Sequence, residues 1–110
     1  MPLTFLDPGQ LTARLELEEP VETADGQGGA AASFSSVGAV WARIEPVAAE
    51  TVETGHVERQ AVTHRIWMRH SPAVAPGMRL RKGTRIFLIR TVHDPDERGR
   101  YLVARVMEER

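Results

Sequence analysis

The 110-residue chain contains no cysteine, so disulfide staples, thiolate metal sites and thiol nucleophiles are excluded together. The fold must be held by packing. Lysine occurs once, against thirteen arginines, a bias that fits a G- and C-rich coding sequence rather than a function. Aromatic residues make up only 5% of the chain, which is thin for a protein that stacks nucleobases. No apolar run approaches the roughly twenty residues that span a bilayer, and the start MPLTFLDPGQ lacks the basic and apolar segments of a signal peptide. The expectation is a soluble, unexported protein. What is present is an ordinary globular composition, 42% hydrophobic and 26% charged. At this length one domain with a modest core is expected, and a two-domain enzyme is ruled out.

The net charge of -1 conceals an asymmetry. Residues 1–60 hold ten acids and three bases, whereas residues 61–110 hold five acids and eleven bases. If the halves occupy different surfaces, the molecule is a dipole able to associate head to tail with its own copies. Otherwise a folded sheet interleaves the halves and the charges pair within one chain.

Along the chain, Leu11, Ala13, Leu15 and Leu17 alternate with Thr12, Arg14, Glu16 and Glu18, which predicts a half-buried strand. Pro20 ends it. Residues 20–36, rich in glycine, alanine and serine, show no core-forming period and read as a flexible loop or open hairpin tip. A second strand over Ala39 to Glu45 puts Val40, Ala42 and Ile44 on one face and Trp41, Arg43 and Glu45 on the other. Residues 47–60 read either as a short helix, started by Pro46 and stopped by Gly55, or as a long β-arm. A third strand, Val57 to Arg69, sets Val62, His64, Ile66 and Met68 against Thr63, Arg65, Trp67 and Arg69. Shorter strands follow at Met78 to Arg81, Arg85 to Val92 and Arg100 to Met107, of which the run Ile86 to Ile89 should be the most buried. The fold class expected is all-β: a small antiparallel β-barrel or sandwich of five to six strands, with at most one short helix and a long flexible loop.

Candidate chemistry is sparse. His56, His64 and His70 come close in sequence, but on a strand His64 and His70 would stand about 20 Å apart, so no metal site is expected. Asp94, Asp96 and Glu97 could act as acid and base, yet a pair two residues apart beside Pro95 more often caps backbone amides in a turn. There is no nucleophile elbow, phosphate-cradling loop or triad, and no catalytic residue or cofactor is assigned. Arg79, Arg81, Lys82 and Arg85 form a basic stripe that could follow a phosphate backbone, the basis of an alternative reading as a stand-alone nucleic-acid-binding barrel. Both tryptophans share faces with charged side chains, a combination that dominates many protein interfaces; the competing reading buries them in a second small core.

The order Val40-Trp41-Ala42-Arg43-Ile44-Glu45-Pro46, Glu50, Val62-Thr63-His64-Arg65-Ile66 with Arg69, Pro76-Gly77-Met78-Arg79, Asp94 and Arg100-Tyr101-Leu102 resembles the head-tail joining family of tailed bacteriophages, which also occurs in prophages and gene transfer agents. Phe34 stands where that family commonly has an aromatic residue, whereas Thr51-Val52 replaces another aromatic after Glu50. The resemblance implies that residues 1–110 are a single head-tail connector domain, an adaptor or stopper without enzymatic activity. It implies a homo-oligomeric ring, six- or twelve-fold, below the portal in the neck of a particle assembled in the bacterial cytoplasm. A portal or adaptor ring would bind one side, a tail terminator or tail tube the other, with non-specific DNA in the lumen and neither membrane nor small-molecule substrate. Candidate subunit and partner contacts are Trp41, Arg43, Glu45, Glu50, Arg65, Trp67 and Arg69; candidate DNA-channel or docking residues are Arg79, Arg81, Lys82 and Arg85.

Overall fold

The computed structural model describes residues 8–24, 30–54 and 58–109. A 3-10 turn, Pro8–Gln10, leads into six strands: β1 (Ala13–Ala24), β2 (Ala30–Thr54), β3 (Glu58–Arg69), β4 (Arg79–Lys82), β5 (Arg85–His93) and β6 (Tyr101–Glu108). All pairings are antiparallel, and the strands close in the order β1-β2-β3-β6-β5-β4, with β4 returning to β1 through Glu16↔Arg81, Leu17↔Leu80 and Glu18↔Arg79. Closure pairs the barrel edges that an open sheet would leave exposed.

The alternation in the sequence decides what points inward. Leu15 and Leu17 of β1, Ala42 of β2, Ile66 and Met68 of β3, Leu80 of β4, Phe87 and Ile89 of β5, and Leu102, Ala104 and Val106 of β6 form the core, joined by Val74 and Met78 from the β3–β4 connection. Each large apolar side chain so buried contributes about 1.5–3 kcal/mol. The most buried strand is β6 rather than β5. Ile86 and Leu88 stay half-exposed on the outer side, while Val103, on the outer side of β6, is only 1% exposed between Trp67 of β3 and His93 of β5.

Strand structure reaches further into residues 20–36 than the composition suggested. Beyond Glu18↔Ser36, pairing continues through Pro20↔Phe34 to Ala24↔Ala30. A two-stranded ribbon satisfies its backbone groups without burying a face, so it needs no hydrophobic period and leaves none to read. The expected helix at 47–54 is not formed. There β2 runs on to Thr54 and pairs with β3 from Glu50↔Val62 to Thr54↔Glu58, the arm rather than the helix. The β-branched Thr51, Val52 and Thr54 favour this outcome. The tips of both ribbons, 25–29 and 55–57, lie outside the described residues.

At 25 residues, β2 would measure about 80 Å if straight. The longest dimension of the molecule is 52 Å, so the strand bends. One bend lies where Val37 is the extra residue opposite Leu17 and Glu18, beside Gly38 at φ 150°, a conformation that disfavours a side chain. The other lies between Pro46 and Glu50. Between the bends β2 is a barrel stave; outside them it forms one ribbon at each end. The radius of gyration, 15.1 Å, accordingly exceeds the roughly 13 Å of a compact chain this long.

Candidate assembly surfaces

The outer wall of β2 and β3 gathers most of the residues singled out as contacts. Register places Trp41 opposite Arg14 of β1, Arg43 opposite Trp67 and Glu45 opposite Arg65. Glu45 organises three of them. Its Oε1 accepts the Trp67 indole N–H at 3.3 Å and lies 3.5 Å from Arg65 Nε, and its Oε2 lies 3.8 Å from Arg43. Exposed pairs of this kind add less than about 1 kcal/mol each. Their effect is to orient the guanidinium groups and hold Trp67 half-buried against the wall. Trp41 differs, being 58% exposed, with the exposed Val37 and Ala39 preceding it along β2. Arg69 is exposed opposite Tyr101, and Glu50 opens the second ribbon opposite Val62. Neither tryptophan lies in the barrel core.

Beside this wall Val47, Val62, Arg65, His93 and Arg105 line a shallow groove of about 240 Å³. Arg65 and Arg105 are directly opposed across β3 and β6.

The basic stripe is organised otherwise. Arg79 Nε donates to Glu18 Oε1 at 2.6 Å and Arg81 Nε to Glu18 Oε2 at 3.0 Å. Glu18 is 5% exposed, the one buried charged residue among those described. Burial alone would raise its pKa, but the hydrogen bonds and positive charge of Arg79 and Arg81 outweigh that and hold it below the ordinary value. The Arg79 guanidinium also lies 4.0 Å over the Phe34 ring. Glu18, Arg79 and Phe34 thus clasp the root of the first ribbon to the barrel. Arg85 makes a two-point ion pair with Glu108, 2.8 and 3.1 Å, which leaves Lys82 exposed at the β4–β5 turn. Three of the four residues proposed for DNA contact are engaged inside the chain. Sequence reading missed Glu18, whose only signal was the break in alternation at Glu18-Glu19 and a spacing of two between Arg79 and Arg81.

The family model described as phage head completion protein matches residues 6–109. The chain belongs to the phage head completion protein family. Among solved structures, a chain from the virion of a native gene transfer agent particle is similar to it, with 33% identity, a TM-score of 0.67 and coverage of 89% of this chain and 93% of that one. No curated protein sequence matches.

In this member of the head completion family, the remaining motifs do structural work. Thr63 Oγ1 accepts the Glu108 N–H at 2.8 Å and anchors the end of β6. His64 packs edge-on against Phe87, ring centroids 5.3 Å apart; burial lowers its pKa, Glu108 opposes that and Arg85 reinforces it. Gly77, at φ 91°, donates to the Ile89 carbonyl at 3.1 Å and turns the chain into Met78, which is buried, and Arg79. The carboxylates at 94–97 are turn chemistry. Asp94 accepts from the Asp96 and Gly99 amides at 3.3 and 2.7 Å, and Asp96 holds Arg100 at 2.6 Å. That hydrogen bond first, against a smaller burial effect, lowers the Asp96 pKa.

Proposed function

We propose that residues 1–110 are a single, non-enzymatic connector domain. Copies of it form a ring below the portal of a phage or gene-transfer-agent particle, close the DNA-filled head and dock the tail. The observation that carries this reading is the family match over residues 6–109, which spans the barrel and both ribbons rather than one motif. The likeness to a gene transfer agent virion chain extends over 89% of the molecule. The geometry agrees: two ribbons leave the barrel at opposite ends, and the wall between them presents Trp41 to solvent. In the ring, Trp41, Arg43, Glu45, Arg65, Trp67 and Arg69 meet neighbouring subunits, while Glu50 and the second ribbon meet a flanking ring. A lumen role for the basic stripe falls mainly on Lys82, since its neighbours are engaged by Glu18 and Glu108.

Deletion of the reading frame in a producing strain tests the reading. Electron micrographs are expected to show heads without tails, with tailed particles restored when the wild-type chain is supplied in trans. Normal numbers of tailed, infectious or transferring particles after deletion overturn it.

A further inference from the structure

On β4 and β5 the arginines are met by carboxylates, with one exception among the described residues. Arg79 and Arg81 share Glu18, and Arg85 pairs with Glu108. Arg90 has no such partner. It is half-buried, its Nε is sealed from solvent without an acceptor, and its Nη2 donates to the Met107 Sδ at 3.7 Å. A thioether is a weak, uncharged acceptor, so the free subunit carries a partly desolvated cation with no carboxylate beside it. Arg90 is the extra residue of the β5 bulge between Ile89↔Val106 and Thr91↔Arg105, and bulges re-aim side chains. Next to it on the outer face, Leu88 stands opposite Met107, with Ile86 further along β5, all three half-buried.

The charge split of the chain points to a second copy as the source of the missing carboxylate. Residues 1–60 hold ten acids and three bases, residues 61–110 five acids and eleven bases. β5 belongs to the basic half and, in the closed order β1-β2-β3-β6-β5-β4, stands three strands from β2 either way, on the opposite side of the barrel. Subunits of a ring meet through different sides, so a β1–β2 side turned to one neighbour leaves β5 for the other. On the β1–β2 side Glu22 is exposed and has no ion pair among the described residues. Alternation along β1 sets it with Glu18 and Pro20 on the face continuous with the outer wall, whereas Glu19 faces the other way. DNA phosphates fit Arg90 less well, because they are met by projecting, solvated cations such as Lys82 rather than by a recessed guanidinium among Ile86, Leu88 and Met107.

Resting on the ring reading above, we propose that Arg90 of one copy receives the Glu22 carboxylate of the next. The two groups lie on different sides of the molecule, so the contact is head to tail and repeats around the ring. The apolar residues beside Arg90 keep water from the pair and strengthen it.

Arg90→Met keeps the stem of the side chain and removes its charge. The purified variant is expected to melt at or above the wild-type temperature, while its amount in particles falls at least about tenfold. A melting temperature lower by about 4 °C or more means that Arg90 holds the fold, and overturns the proposal. So does normal incorporation, including particles that keep the protein and the tail but lose DNA, the result a phosphate contact would give. Charge reversal tests the acid. Arg90→Glu is expected to block incorporation, and adding Glu22→Arg to restore it. No restoration, or restoration by Glu19→Arg instead, overturns the pair. Wild-type particles that lack the protein overturn the ring reading as well; particles that contain it whatever stands at position 90 overturn this contact alone.

Discussion

The barrel and the ribbons are built from the same strands under opposite conditions. Inside the barrel β2 pairs with β1 from Gly38 to Ala42 and with β3 from Ala42 to Pro46, and turns one face to the core, with Ala42 fully buried and Ile44 packed on the cluster. A few residues away, at Ser33 to Ser36, the same strand pairs only with β1 and buries almost nothing. The backbone geometry hardly changes; the burial does. Stability therefore belongs to the barrel, and the ribbons and Trp41 wall are available for contacts with other chains. In a small protein without disulfides, this division keeps the exposed surfaces apart from the residues that hold the fold.

Removing the core should show the largest effect. Phe87→Ala deletes a fully buried ring that also supports His64, and is expected to cost about 3–5 kcal/mol in urea denaturation. A loss under about 1 kcal/mol would mean the barrel is not the stable unit.

The clasp between barrel and ribbon comes next. Glu18→Ala leaves Arg79 and Arg81 without their shared carboxylate, and a loss of about 2–3 kcal/mol is expected, below the usual figure for a broken buried pair because both arginines are partly exposed. Hydrogen exchange should then quicken at 19–24 before it does in β6.

Acid should act on the same two places in sequence. His64 and Glu18 both have folded pKa values below their ordinary ones, 6.5 and 4.5, so on acidification the unfolded chain takes up each proton first. Stability is complete above about pH 6.5 and declines below it through His64, then again below about pH 4.5 through Glu18. Melting temperature followed from pH 8 to 3 should show both steps, with His64→Gln abolishing the upper one. A stability maximum near pH 5 would contradict this.

The smallest effect on folding should come from Trp41→Ala. An exposed side chain of this kind is expected to change stability by less than about 0.5 kcal/mol, while incorporation into particles falls sharply. Strong destabilisation with normal incorporation would reverse the assignment of barrel and wall.

Much was legible in the chain before folding. Period-two alternation in β1, β2 and β3 named the inward residues, because burial on one face of a strand is the selection such a pattern records. It also placed both tryptophans on the charged side and His64 on the core side. The absence of cysteine settled that packing alone holds the protein. Only the tertiary structure decided that Glu18 meets Arg79 and Arg81, 61 and 63 residues away, that Glu45 captures Trp67 but leaves Trp41 in solvent, and that 20–24, 30–36 and 47–54 extend strands. Those outcomes depend on register between distant strands and on ribbons with no buried face. Neither leaves a local period in the order of residues.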